Sequence, residues 1–242
     1  MATRNNSLPA QAAAYADHLT LLLNGTVCDH ARVGMVIRRQ DRIAVVGTNL
    51  DGATYLSRPV RLRTVQHAHC WLTVTSQFYL DQDGYLTAQR SAYYVLAGEG
   101  VEHELFHYDY ERDKSGYTEA HIQVNAHSEP LCELLVAVGR PKKSLAHLHL
   151  PVGGRRFRPA LEDILEALMD EQIVIGSPAA RSILDESRAD FRRTQLRAAV
   201  RREPEVAAVA LQALGYIITE PKRRSEVVPI ESWRRRLTRR GR

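Results

Sequence analysis

Residues 102–126 read EHELFHYDYERDKSGYTEAHIQVNA, two alternating runs around a polar RDKSG turn. Alternation at a period of two is the signature of β-strands, and Asp, Ser and Gly supply the turn. A regular hairpin closed by RDKSG sets Glu111 opposite Tyr117 and His107 opposite His121. It also sets Asp109 opposite Glu119, Leu105 opposite Gln123 and His103 opposite Asn125. These side chains share one face. The other face carries Phe106, Tyr108, Tyr110, Ala120, Ile122 and Val124 and must cover a core.

Strand patterns extend upstream to about residue 33. VGMVIRR, RIAVVG, ATYLSRPVRLRTV, CWLTVTSQFYL and YLTAQRSAYYVLA are rich in β-branched and aromatic residues, with DQDG at 81–84 as a second hairpin turn. Successive hairpins imply an antiparallel meander. Before them, LPAQAAAYADHLTLLLN at 8–24 has one apolar stripe at helical spacing, with Ser7 as cap, Pro9 in the first turn and Gly25 as stop. After the hairpin, EPLCELLVAVG at 129–139 fits a short helix or a buried strand, and SLAHLHLPV fits a strand. PALEDILEALMDEQ, SPAARSILDESRADFRRTQLRAAVRRE and PEVAAVALQALG fit helices. The fold class is α+β: an N-terminal helix, a twisted antiparallel sheet and a C-terminal helical layer. Residues 1–218 read as one domain, strand-rich over 30–150 and helical over 158–216, followed by a flexible basic tail over 219–242.

The chain has 242 residues, 44% of them hydrophobic and 25% charged, which suits a globular protein. No apolar run reaches the 18 or so residues that a membrane span requires, and the N-terminus lacks a signal-peptide pattern. Three scattered cysteines with no CxxC pair fit reduced thiols and a cytoplasmic setting. The net charge of +5 is uneven, because residues 219–242 hold nine Lys and Arg against three Glu.

Candidate chemistry gathers in two places. His107 and His121 lie on the polar face of the hairpin, and a strand at 144–150 puts His147 and His149 on one face of its own. If that strand neighbours residues 117–126, the four histidines converge, as general acid–base groups or as a chelating set. An antiparallel sheet often wets one face, so polarity there needs no role; repeated histidine, in place of Lys, Glu and Thr, is what departs from that pattern. His67, His69 and Cys70 form a second donor group with no fourth ligand in sight. No metal site or cofactor is assigned. The glycines of GGRRFRP at 153–159 let the backbone approach a ligand, and Arg155, Arg156 and Arg158 add forked donors suited to phosphate. Arg193, Arg197 and Arg201 fall at i, i+4 and i+8 of a helix, a basic ridge able to track phosphates. P-loop, GxSxG, HExxH and dinucleotide-loop patterns are absent.

FHYDYERDKSGYTEAHIQV followed by LAHLHLPVGGRRFRPALEDILEALMDE resembles a group of uncharacterised actinobacterial proteins. In that group a Tyr-rich strand, a His-bearing strand and a HLPVGGRRFRP-LED turn recur in this order. The resemblance spans residues 102–171 and implies a shared α+β unit without an established activity. More distantly, the YDY…H…HxH order is similar to small bacterial toxins of toxin–antitoxin type, which are much shorter at both ends. Three functions follow as expectations. One is a nucleic-acid-associated protein, a nuclease-like toxin or defence component using His107, His121, His147 and His149. Another is a non-catalytic homo-oligomeric interaction protein with an acidic protein partner. The third is a small-molecule-binding or hydrolytic enzyme with a His-lined pocket.

Overall fold

The computed structural model of the chain describes residues 7–65, 68–100, 103–140, 144–154 and 158–219. In chain order the described elements are α1 (Leu8–Thr26), β1 (Val33–Arg38), β2 (Ile43–Thr48), β3 (Val60–Arg61), β4 (Cys70–Leu80), β5 (Leu86–Ala97), β6 (His103–Glu111) and β7 (Ala120–Val124). They continue with α2 (Glu129–Ala137), a 3-10 turn (Leu145–His147), β8 (Leu150–Pro151), α3 (Leu161–Asp170), α4 (Ala180–Arg202) and α5 (Pro204–Ala213). All strand pairs are antiparallel, in the order β1-β2-β4-β5-β6-β7-β8, with β3 on the edge of β4. The expected α+β class holds. The chain divides into two compact units, residues 1–185 and 186–242, and the boundary falls within α4. The predicted basic tail lies almost wholly outside the described residues.

Alternation sorts the sheet into two faces. On the core face, Leu72, Val74 and Phe78 of β4 stand beside Val95 of β5 and Ala44 and Val46 of β2, and all are buried. Leu19, Leu22 and Leu23 of α1 and Leu161, Ile164, Leu165 and Leu168 of α3 complete this core. The Tyr15 ring meets Phe78 edge-on at 5.0 Å. Gln11 ties α1 to the β4–β5 turn, donating to Gly84 O at 2.9 Å and accepting from Leu86 N at 3.1 Å. That turn is held by Asp81, whose carboxylate accepts from Asp83 N, Tyr85 N and the Thr87 hydroxyl, while Gly84 takes φ +78°. Gly25 does not stop α1: the helix runs on to Thr26, and Gly25 instead admits Ile183 Cδ1 to 3.0 Å of where a Cβ would sit.

The other face, called the outer face below, is also covered at its β2 end. Ile43 and Val45 point to it and are buried. Residues 49–59, read in part as a strand, instead fold into a loop across it, with Asn49 and Tyr55 at positive φ and Ser57 pressed on Gly47. Only Val60–Arg61 pairs with β4. The segment 129–139 resolves as a helix, and α2 ends before Gly139 at φ +76°.

Two outcomes follow. A Cβ on Gly47 would lie 1.9 Å from Ser57 Oγ and 2.9 Å from the Val74 carbonyl, whereas one on Gly52 would find ordinary contact at 3.6 Å. Gly47→Ala is expected to cost roughly 1–3 kcal/mol in urea unfolding, and Gly52→Ala well under that; equal costs would refute the close approach. Burial pushes the Cys28 thiol up to about 12, and burial also raises Cys70, Tyr15 and Tyr93. Each is raised in the folded state, so its contribution is full below the unfolded value and lost as pH rises past it. Chemical-denaturation stability is expected to fall from about pH 9 upward, the ordinary value for a thiol; a flat profile to pH 11 or so would contradict this.

Candidate functional site

The β6–β7 hairpin keeps the predicted faces but not the predicted register. Observed partners are His107 with Gln123 and Asp109 with His121, a slip of two positions. The cause is Arg112, which leaves the hairpin for β5: its amide donates to Gln89 O and its Nε to Ala88 O, both at 2.8 Å. Asp113 turns at φ +56° and donates its amide to Glu119 Oε1 at 2.8 Å. A slip of two leaves every side chain on its face, whereas a slip of one would have inverted them.

A bulge at Leu105 shapes the site further. Val95 pairs with Phe106, but Leu96 pairs with Glu104. The extra residue lets both Leu105 and Phe106 lean on the core and returns Glu104 to the outer face beside His107. Leu105 and His103 therefore do not continue the polar row as the regular hairpin implied. Glu104 Oε1 sits 2.6 Å from His107 Nδ1, and Gln123 Oε1 sits 2.9 Å from His107 Nε2. Gln123 is oriented by donating its Nε2 to the Ala146 carbonyl at 2.8 Å. Both ring nitrogens of His107 are thus taken, which fits it to hold neighbours in place. Tyr94, opposite His107 on β5, lies against it at 4.9 Å. Burial pushes the Tyr94 hydroxyl up, with Asp109 and then Glu104 adding to the rise, so it stays a neutral donor.

His121 is the centre of the group. It is 1% exposed. Its Nδ1 lies 3.3 Å from the Thr118 carbonyl, and a nitrogen facing a carbonyl carries the proton. The lone pair is then on Nε2, the tautomer of a general base. Asp109 stands opposite on β6 and Pro151 opposite on β8. The His149 ring lies 4.6 Å away, His107 6.5 Å and Tyr117 5.1 Å, and Tyr117 stacks on His149 at 4.0 Å. Tyr117 and His149 come from loops, and together they roof His121. Lys114 lies 4.8 Å over the Tyr117 ring and pairs with Glu111 at 3.1 Å.

The predicted strand at 144–150 is a correction. Residues 145–147 form a 3-10 turn, and only Leu150–Pro151 pairs with β7. His147 N donates to Ser144 O at 2.9 Å, and the Ser144 amide and hydroxyl engage His147 Nδ1. This turn breaks the alternation that set His147 beside His149. His147 is exposed, and the ring contacts that join His107, His121 and His149 do not reach it.

Arg155 and Arg156 lie outside the described residues. The Arg158 guanidinium sits 4.1 Å from the Tyr110 ring, and Tyr110 is buried on the core face, across the sheet from His121. Near it, Ser76 Oγ and Tyr110 OH are buried with no hydrogen-bond partner among the described residues. Arg193, Arg197 and Arg201 lie on one continuous helix, α4, and are exposed; Arg193 pairs with Asp190 at 2.6 Å. His67 lies outside the described residues, and Cys70 is buried. Among the described residues no three His, Cys, Asp or Glu side chains are grouped to hold a metal ion.

Tyr94 and Glu104 are not singled out by the sequence, and Tyr117 and Gln123 are placed by it on the polar face without a role. Tyr94 follows from its strand pairing, but the bulge and the 112–118 loop leave no periodic signal. No family model, no curated protein and no solved structure matches the chain.

The roof yields an outcome. Tyr117→Ala is expected to raise carbethoxylation of His121, mapped by mass spectrometry, by roughly tenfold, with His147 reacting fast in both proteins. An unchanged His121 rate would mean that Tyr117 does not shield it.

Proposed function

We propose that the protein is a nucleic-acid-associated, nuclease-like enzyme, of the toxin or defence type that its sequence resemblance suggests. The carrying observation is the buried His121, with Nδ1 directed at a backbone carbonyl, Asp109 opposite and a second imidazole, His149, at 4.6 Å. Phosphodiester cleavage needs one group to take a proton from the attacking hydroxyl and another to protonate the leaving oxygen. In this reading His121 Nε2 is the base, and the Asp109 carboxylate stabilises the imidazolium that forms. His149, at the solvent side of the pair, is the acid. Tyr94 donates to charge developing on a phosphoryl oxygen. His107 is a positioning residue, because Glu104 and Gln123 occupy its nitrogens.

Support for a polyanionic substrate comes from charge. Residues 186–242 hold fifteen Lys and Arg against seven Asp and Glu, net +8, leaving −3 for residues 1–185. The Arg193, Arg197 and Arg201 ridge belongs to that basic unit, which in this reading captures nucleic acid while the sheet supplies the chemistry. Arg155 and Arg156 enter only through their sequence; Arg158, stacked on Tyr110, is given no part in the chemistry.

The test is cleavage of labelled RNA and single-stranded DNA by full-length protein. His121→Gln and His149→Gln are each expected to lower the rate by about 10²–10⁴-fold with folding unchanged by circular dichroism, and His147→Ala to leave it within about twofold. Wild-type protein without cleavage of either substrate, or His121→Gln at wild-type rate, would refute the proposal.

A further inference from the structure

The surface least accounted for by the fold is that of α5. Its sequence is PEVAAVALQA, with Glu205 and Gln212 as its only polar side chains, and none of its residues is buried. Val206 and Val209 are 66% and 65% exposed, and beyond the helix Leu214, Tyr216 and Ile217 are 75%, 63% and 92% exposed. Exposed apolar residues scattered singly need no explanation. A helix apolar on nearly every side is different, because such helices are ordinarily buried. Ten residues are also too few for a helix to be robust without packing. A concentrated apolar surface of this kind marks an interaction site.

Charge selects the occupant. The unit that carries α5 has net +8, and Arg192, Arg193, Arg197, Arg201 and Arg202 are exposed on its α4 segment. A second copy would set +8 against +8. Nucleic acid would answer the arginines, but its phosphates, sugars and polar base edges are poor partners for Val206, Val209, Leu214 and Ile217. A polypeptide with an apolar face bordered by carboxylates answers both. We propose that the C-terminal unit is a docking module for an acidic protein, which takes the α5 segment into an apolar groove rimmed with Asp and Glu. This proposal does not rest on the chemistry assigned to His121, and here the acidic protein competes with nucleic acid for the α4 arginines.

The test uses the full-length chain and three labelled peptides of 21 or so residues. One has Leu at the a and d positions of a helix and Glu elsewhere, the second has Lys in place of Glu, and the third has Ser in place of Leu. By fluorescence anisotropy, the Leu/Glu peptide is expected to bind at least about tenfold tighter than either control, and to weaken several-fold between roughly 50 and 200 mM salt. Val209→Ser/Leu214→Ser changes no charge and is expected to weaken that binding about tenfold, with circular dichroism reporting the fold. Equal binding of the Leu/Glu and Leu/Lys peptides, or an unaltered affinity in the variant, overturns the proposal. So does a dimer in sedimentation equilibrium that the variant dissolves, which gives the surface to a second copy. So does oligonucleotide binding that falls tenfold in the variant, which gives it to nucleic acid.

Discussion

Side-chain alternation across β5, β6 and β7 is the constraint on which the rest of the structure depends. It sends Tyr93, Phe106, Tyr108, Tyr110, Ile122 and Val124 to one face and Tyr94, His107, Asp109, His121 and Gln123 to the other. The first set closes the core with α1 and α3. On the second, two loop residues complete the group: Tyr117 from the β6–β7 connection and His149 before β8. One irregularity, the bulge at Leu105, turns a polar strip into an organised group, because it brings Glu104 to the side of the sheet that holds His107. A strand without it would place Glu104 and His107, three residues apart, on opposite faces.

This explains what could and could not be read from the sequence. The two faces of the hairpin were legible because a period of two survives any even slip in register. The slip itself was not, since it depends on Arg112 bonding to β5 carbonyls that no local pattern announces. The helices at 161–170, 180–202 and 204–213 were legible from periodicity and from Pro and Gly at their ends, and the strand at 70–80 from its strict alternation. The 144–150 segment misled because LAHLHL alternates perfectly as letters. A single serine hydrogen bonding to the third residue on was enough to wind its first half into a 3-10 turn. Of the four histidines expected to converge, three do so, and the one lost is the residue inside that turn.

The core face carries polar chemistry as well. Ser76, Ser91 and Tyr110 fall in one row across β4, β5 and β6. Tyr15 and Tyr93 are raised first by burial and share a hydrogen bond, and both feel Arg158 and the buried Glu162. The Arg158 guanidinium lies over the face of the Tyr110 ring. The arginine that looked like part of a phosphate-binding lip is therefore built into the seam between sheet and α3, and the sheet itself separates it from the histidines.

The burial of His121 bears on how such a site would operate. An imidazole at 1% exposure cannot meet a polymer substrate while Tyr117 and His149 lie over it. Both covering residues are on loops; their rings stack on each other, and Tyr117 is also held by Lys114. His107 is held at both nitrogens and cannot move without losing both bonds. Tyr94, His107 and Asp109 form a floor, and Tyr117 and His149 a roof over His121. In the proposed reaction, excluding water would strengthen the effect of Asp109 on the imidazolium that forms at His121.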